Sequence, residues 1–493
     1  MQSNRLDRRQ FIRVSSLAAL ASAALPTLVP SRAFGANDRL RGAVFGVGPQ
    51  GTYHMESYSK EEGVEIVGLA DPDQKRLESA QAKLKDKYGV EAKIAQDSRK
   101  ILEDQSIDFV SVASCNHWHS LLGIWAAQAG KHVYVEKPCS QTLFDGLKLA
   151  EAAAKYKVCI QHGTQRRHDA AIKRGATAWA TGKYGKPIAL RTFANRTRGP
   201  VLQFPIEAAP ESLDWNTWVG PAAMVDYCRC YIPYNWHWFW NFGNGEIGNN
   251  GVHYFDQSRI ALGLLKPGIK HPQNVCMFGA RFVDDKARNY QDQAQTPTIQ
   301  LGIYDFDGIP MIFQSCNLRK KESKWLPRET AYFVTEDGYI DHDTFVGNDG
   351  SREKIGELDG YVAPFAGGQF SNFLNCVRDN APEKLNAPIA EGQYSAAVCH
   401  LGNISYRLGK SASLADCRKA VGDNAIMQTT IDETLDNVKS YFGDAVNIEK
   451  DIPWVCGEKI SINNETNQFD DNPAANALLT RPERAPFVVP ETV

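Results

Sequence analysis

The run GAVFGVGPQG, residues 42 to 51, sets Gly46, Gly48 and Gly51 in a GxGxxG spacing right after a short β-branched and aromatic segment. Where a strand turns into a helix, that spacing has a mechanical meaning. The first glycine permits a tight turn, the second lets backbone approach a pyrophosphate, and the third lets the helix sit close to the strand. The next apolar segment, VEIVGLAD, ends at Asp71, about twenty residues further on. An acid there accepts hydrogen bonds from the adenosine ribose hydroxyls and repels a 2′-phosphate, so NAD is favoured over NADP. Lys75 and Arg76 lie close enough to keep NADP open, and an acid that simply ends a strand before Pro72 is the plain alternative.

The alternation continues. Apolar segments at 107–114, 132–138 and 158–163 are spaced by helical patterns at 73–88, 117–129 and 141–156, which predicts a doubly wound parallel sheet. Such sheets bind ligands at the carboxyl ends of their strands, and Asn116, His117, His119 and Glu136-Lys137-Pro138 fall at or just past such ends.

GVGPQG, ASCNHWH, VEKP and GVHYFD, in that order, are similar to the successive motifs of the Gfo/Idh/MocA oxidoreductases, and the resemblance spans residues 40 to 410. It implies an α/β chain with an N-terminal Rossmann domain and a C-terminal α+β domain whose large open sheet is mainly antiparallel and supports homo-oligomer contacts. It also implies that Glu136 and Lys137 touch cofactor and substrate, with a cis bond before Pro138, and that Lys137 meets the reacting hydroxyl as a proton acceptor. Asn116 and His119 would line the nicotinamide end; His117 is extra, structural or functional with equal weight. In GTQRRH, residues 163 to 168, Gln165 takes the amide position, and Arg167 reaches cofactor or substrate, or ties the domains together. His253 is the expected second catalytic residue and Asp256 a substrate contact. The acid that relatives carry four residues before the histidine is Asn249 here, which binds or orients but cannot ionise, putting simple inositol dehydrogenation in doubt.

For the second domain, strands are expected at 187–194, 298–306, 309–315 and 330–335, with Gly308 turning one into the next. The section from 196 to 245 is long, loop-rich and aromatic, as lids and binding loops are. Within it, YNWHWFWNF puts Tyr234, Trp236, Trp238, Trp240 and Phe242 at alternate positions, predicting an extended segment with these rings on one side. Core packing and a sugar-stacking platform that includes Trp238 and Trp240 are both open. Closing helices follow over 368–410, and 411–493 reads as a wrapping or oligomer-stabilising extension.

At the other end, DRRQFIR with Arg8 and Arg9, an apolar run from Val14 to Val29 and small residues at Ala33 to Ala36 resemble a twin-arginine export signal over 1–36. An uncleaved anchor or a tail is the alternative. The expectation is a partnership with the twin-arginine export machinery and a periplasmic address. The expected domains are then 38–160 for NAD and 161–410 for substrate. Eleven cysteines without a CxxC pair suggest neither a disulfide framework nor a metal site, and Cys228 and Cys230 read as buried thiols. A formal charge of −2 lacks the basic excess that a nucleic-acid partner needs.

The expected function is NAD-dependent oxidation of a hydroxyl on a sugar, sugar derivative or cyclitol, with the cofactor held tightly. Two alternatives stand beside it: a redox-neutral NAD-dependent glycoside hydrolase, and a cofactor-bound binding protein without turnover.

Overall fold

The computed structural model describes residues 39–283, 292–318, 327, 329–482 and 484–493. The export signal expected over 1–36 lies outside them. Six parallel strands form the first sheet: β1 (Leu40–Phe45), β2 (Val64–Ala70), β3 (Lys93–Ala95), β4 (Phe109–Val112), β5 (His132–Val135) and β6 (Ile160–His162), ordered β3-β2-β1-β4-β5-β6. Parallel strands need crossovers, and here helices supply most of them. The helix Gln74–Tyr88 starts where the Asp73 side chain accepts from Lys75 N–H, and buries Leu77, Ala80 and Leu84 on one stripe. The helix Leu143–Tyr156 starts in the same way, with Thr142 accepting from Asp145 N–H. Because both faces are covered, β4 is buried along its whole length.

Among the described residues the second sheet has ten strands. β7 (Pro187–Ala194), β8 (Asn274–Ala280), β9 (Ile299–Phe306), β10 (Ile309–Cys316) and β11 (Glu329–Thr335) are its main body. β12 (Gly338–Asp341), β13 (Thr344–Gly347) and β14 (Arg352–Lys354) extend one edge, and β15 (Lys410–Ser411) and β16 (Val455–Cys456) the other. All neighbours are antiparallel except β7 and β10. The expected α/β architecture with a mainly antiparallel second sheet is present, and Gly308 turns β9 into β10 as anticipated. One face of the sheet packs on the helices Val252–Leu265 and Ile389–Arg407, with Phe255 between Tyr304 and Phe313 at ring distances of 5.4 and 4.9 Å.

The chain beyond residue 410 adds to the second sheet and packs against the first domain. Its helix Ala425–Phe442 covers the second face of the large sheet with Met427, Ile431 and Val438, and β16 pairs with β8. The last segment returns to the first sheet, where Phe487 and Val489 join the cluster around Trp118 and Leu121. Arg481 fastens it with a hydrogen bond to the His117 carbonyl at 2.9 Å and an ion pair to Asp145 at 3.2 Å. The helix Gln369–Asp379, expected among the closing helices of the second domain, also crosses back, seating Phe370 and Phe373 against Tyr58, Phe109 and Tyr134.

Candidate active site

A cavity of about 500 Å³ opens at the carboxyl ends of β1, β2, β4 and β5, roofed by the aromatic section of the second domain. That is ample for a small-molecule ligand. Its walls begin at Gly46, where φ is +81° and a Cβ would stand 2.8 Å from the Ala113 backbone. Gly51 holds no wall; a Cβ there would lie 1.7 Å from the Gly46 carbonyl oxygen, so its absence lets the helix Pro49–Tyr58 press onto the turn. Gly48 caps that helix with extended backbone and no side chain, leaving the positive end of the helix facing the cavity.

Asp71 ends β2 at the wall, accepting from Val47 N–H at 2.8 Å and Asp73 N–H at 2.9 Å. Burial pushes its carboxyl up, opposed by the Asp73 N–H and the nearby Arg76. Arg76 and Gln96, with Asp97 and Ser98, complete this end. Of these four, only Arg76 stands close enough to the glycine and acid pattern to be noticed in the sequence.

At the opposite end, Glu136 accepts from Gln50 Nε2 at 2.9 Å and from Lys137 N–H at 3.0 Å, and lies 3.1 Å from His54 Nε2. Burial opposes its ionisation, yet the His54 contact and the Lys137 charge hold it well below the usual carboxylate range. The Lys137–Pro138 bond is cis. Lys137 Nζ reaches across to the second domain, donating to the Asn249 carbonyl at 2.9 Å and lying 3.4 Å from Asn249 Oδ1. Asn249 sits in a single π-helical turn, Ile247–Gly251, run directly into the helix Val252–Leu265. Such turns displace one residue from the helical register and recur at functional sites. His253 lines the same wall; its Nδ1 is buried with no partner among the described residues, and burial together with Lys137 holds the imidazole neutral, well below its ordinary range.

Asn116 and His119 also line the cavity. Asn116 Nδ2 donates to Asn244 Oδ1 at 3.3 Å, while the His119 ring spans the Pro138 and Ser114 carbonyls at 2.6 and 2.9 Å, bracing the turn after β5. His117 lies off the wall and holds Trp218 through its carbonyl at 3.0 Å, which makes its role structural.

Four substrate contacts expected from sequence are not in the cavity wall. Arg167 Nε bonds both oxygens of Asp256, at 2.8 and 2.9 Å, and Ser395 adds a third bond to that carboxylate. The two charges are paired with each other in the interior, away from the cavity wall. Asp256→Ala, which strands the buried guanidinium, is expected to cost about 3–5 kcal/mol of stability, measured by urea unfolding. Trp238 and Trp240 are displaced because the aromatic stretch is not extended. Residues Asn235–Trp238 form a 3₁₀ turn, closed by Phe239 N–H to the Trp236 carbonyl at 3.2 Å. The rings therefore fan out: Trp238 packs under Arg198, Trp240 under Arg407, and Trp236, Tyr234 and His237 face the cavity instead.

Residues 40–164 match the oxidoreductase family with an NAD-binding Rossmann fold, and residues 200–441 match its C-terminal alpha/beta domain. The chain belongs to the Gfo/Idh/MocA oxidoreductase family.

Within that family the front domain binds NAD, and the cradle fits it: Asp71 at the strand end, an uncapped helix start, and a Gly48 whose Cβ would crowd Arg76 at 3.2 Å. The myo-inositol 2-dehydrogenase of Thermotoga maritima is 34% identical over 165 residues, 34% of this chain and 48% of that protein. The scyllo-inositol 2-dehydrogenase (NAD(+)) of Bacillus subtilis is 31% identical over 167 residues, covering 34% and 47%. The chain thus spans about half the length of the curated relatives it matches. In fold it is similar to the WlbA dehydrogenase of Bordetella pertussis, solved with NADH and UDP-GlcNAcA: 18% identity, 75% of this chain and 97% of that one, TM-score 0.54.

Proposed function

We propose that the protein is an NAD-dependent oxidoreductase acting on a hydroxyl of a sugar, sugar derivative or cyclitol. The observation that carries this reading is the bridge from Lys137 to Asn249, which places an amine, an amide and the neutral His253 together at the end of the cavity remote from Asp71. Bound there, NAD supplies the acceptor for the electron pair of the substrate C–H bond. Lys137 takes the hydroxyl proton, held in place by the Asn249 carbonyl. His253, neutral, contributes a hydrogen bond rather than a charge. Glu136, bound by Gln50 and His54, fixes the turn that carries Lys137. The inositol dehydrogenases among the relatives support a polyhydroxylated ring as substrate.

Arg8-Arg9 and the apolar run behind them support export by the twin-arginine route to the periplasm. An exported enzyme meets no pool of free nucleotide, which favours a tightly held cofactor and, as a second reading, redox-neutral glycoside cleavage. That chemistry dispenses with the carboxylate pair of ordinary glycosidases. The test is to purify the folded protein, measure copurified NAD, and supply a panel of glycosides and free sugars while following NADH and aglycone together. NADH accumulation supports the dehydrogenase; aglycone release without it replaces that reading with the second. Neither signal, with ligand binding intact in Lys137→Ala, overturns both in favour of a binding protein.

A further inference from the structure

Tyr234 comes from the aromatic section rather than from any family motif, yet it stands in the cavity wall with Asn249 and His253. The residue is 43% exposed. Its Oη accepts a hydrogen bond from Asn249 Nδ2 at 2.9 Å. The other end of that amide is also fixed, because Asn249 Oδ1 faces Lys137 Nζ at 3.4 Å. With Oδ1 facing the Nζ that already donates to the Asn249 carbonyl, Nδ2 is the end left for Tyr234. The phenol oxygen is the acceptor, and its O–H has no acceptor among the described residues.

An acid at position 249 would do the reverse. A carboxylate only accepts, so it would take the Tyr234 proton for itself as well as facing the lysine. The amide is thus what leaves the phenol O–H available at the reaction end. The ring is steadied by the Arg198 guanidinium, 5.7 Å from its centroid, and by the His237 ring at 4.4 Å.

We propose that Tyr234 is a catalytic residue that donates a hydrogen bond to the reacting oxygen of the substrate, with Asn249 as the positioning residue that turns its hydroxyl outward. This rests on the dehydrogenase reading above. As Lys137 removes the hydroxyl proton, negative charge builds on that oxygen, and a fixed donor beside it is worth more in the transition state than in the bound alcohol. No proton leaves Tyr234 in the step.

Steady-state kinetics of Tyr234→Phe, Asn249→Asp and the double variant, on whichever carbohydrate reduces NAD with the wild type, tests this. Tyr234→Phe is expected to lower kcat by about 10²–10³-fold with KM changed by less than about threefold, while binding NAD normally by fluorescence titration. Asn249→Asp is expected to lower kcat similarly, and the double variant to be no worse than Tyr234→Phe, since the same donor is lost by both routes. A Tyr234→Phe enzyme within threefold of wild-type kcat, a loss confined to KM, or fully additive effects would each overturn the proposal while leaving the dehydrogenase reading in place. A wild type that reduces NAD with none of the carbohydrates overturns both.

Discussion

Lys137→Ala is expected to lower kcat by about 10²–10⁴-fold, the range for removing a positioned acid–base group, while the protein stays folded and keeps its cofactor site. The separation of effects follows from where the side chain goes. The cofactor wall depends on Gly46, Gly48 and Asp71, none of which touches the Lys137 amine. The amine instead crosses to Asn249 in the other domain, so truncation removes one hydrogen bond to a carbonyl that belongs to a helical turn. Glu136 keeps its bonds to Gln50 and to the Lys137 backbone N–H, both of which survive the substitution. Single-turnover NADH formation and NAD titration, measured on the same preparation, check this. Turnover within tenfold of wild type would remove Lys137 from the chemistry, and loss of NAD binding would recast it as a cofactor contact.

The second large effect is acid lability. Of the 11 histidines, nine are held below their ordinary range, in each case chiefly by burial. His132, His162, His168 and His271 are lowered to about 4, and His117 and His400 to about 3. In the unfolded chain these groups bind protons near pH 6.5, so between that pH and about 4 the unfolded state gains protons that the folded state refuses. Stability is therefore full above pH 6.5 and drains as the pH falls. Each tenfold loss of proton affinity on folding is worth about 1.4 kcal/mol, so each of the four that titrate near 4 contributes up to about 3 kcal/mol. Together these rival the roughly 5–15 kcal/mol that holds a typical domain. His342, raised by its bond to Asp341, acts in the opposite sense but is only partly buried. Unfolding followed by near-ultraviolet circular dichroism is expected to be complete before pH 4. A native spectrum at pH 4 would contradict it.

Much of the first sheet was legible because its code is local. The glycine spacing, the acid at the end of β2 and the alternation of apolar runs each act within a few dozen residues, and β1, β2, β4, β5 and β6 fall where the sequence places them. The short β3 carries too few residues to show a period of its own. The strands β7, β9, β10 and β11 were legible for the same reason as the first sheet. The failures share a different origin. The aromatic stretch has the period of a strand, but i to i+3 bonds and ring contacts with Arg198 and Arg407 win over that period. Asp256 looked like a site residue because it stands three residues after His253. Residues three apart on a helix are neighbours, but the cavity wall stops at His253, and Asp256 beside it meets Arg167 in the interior. Gln50 reaches the wall from within the glycine turn, whereas Gln96 and Tyr234 reach it through long-range folding and belong to no family motif.

The closing segment changes the order in which this protein becomes whole. Chains emerge N-terminus first, at about 5–20 residues per second, and early domains usually fold as they appear. Here the strands that cradle the nucleotide are finished by His162, but one of the rings that pack on Trp118, itself part of the cavity wall, is Phe487. A nascent chain halted anywhere in the second sheet therefore carries every glycine of the turn and still lacks the buttress behind one wall. That part of the wall is therefore completed only after Phe487 has been made, long after the sheet it belongs to.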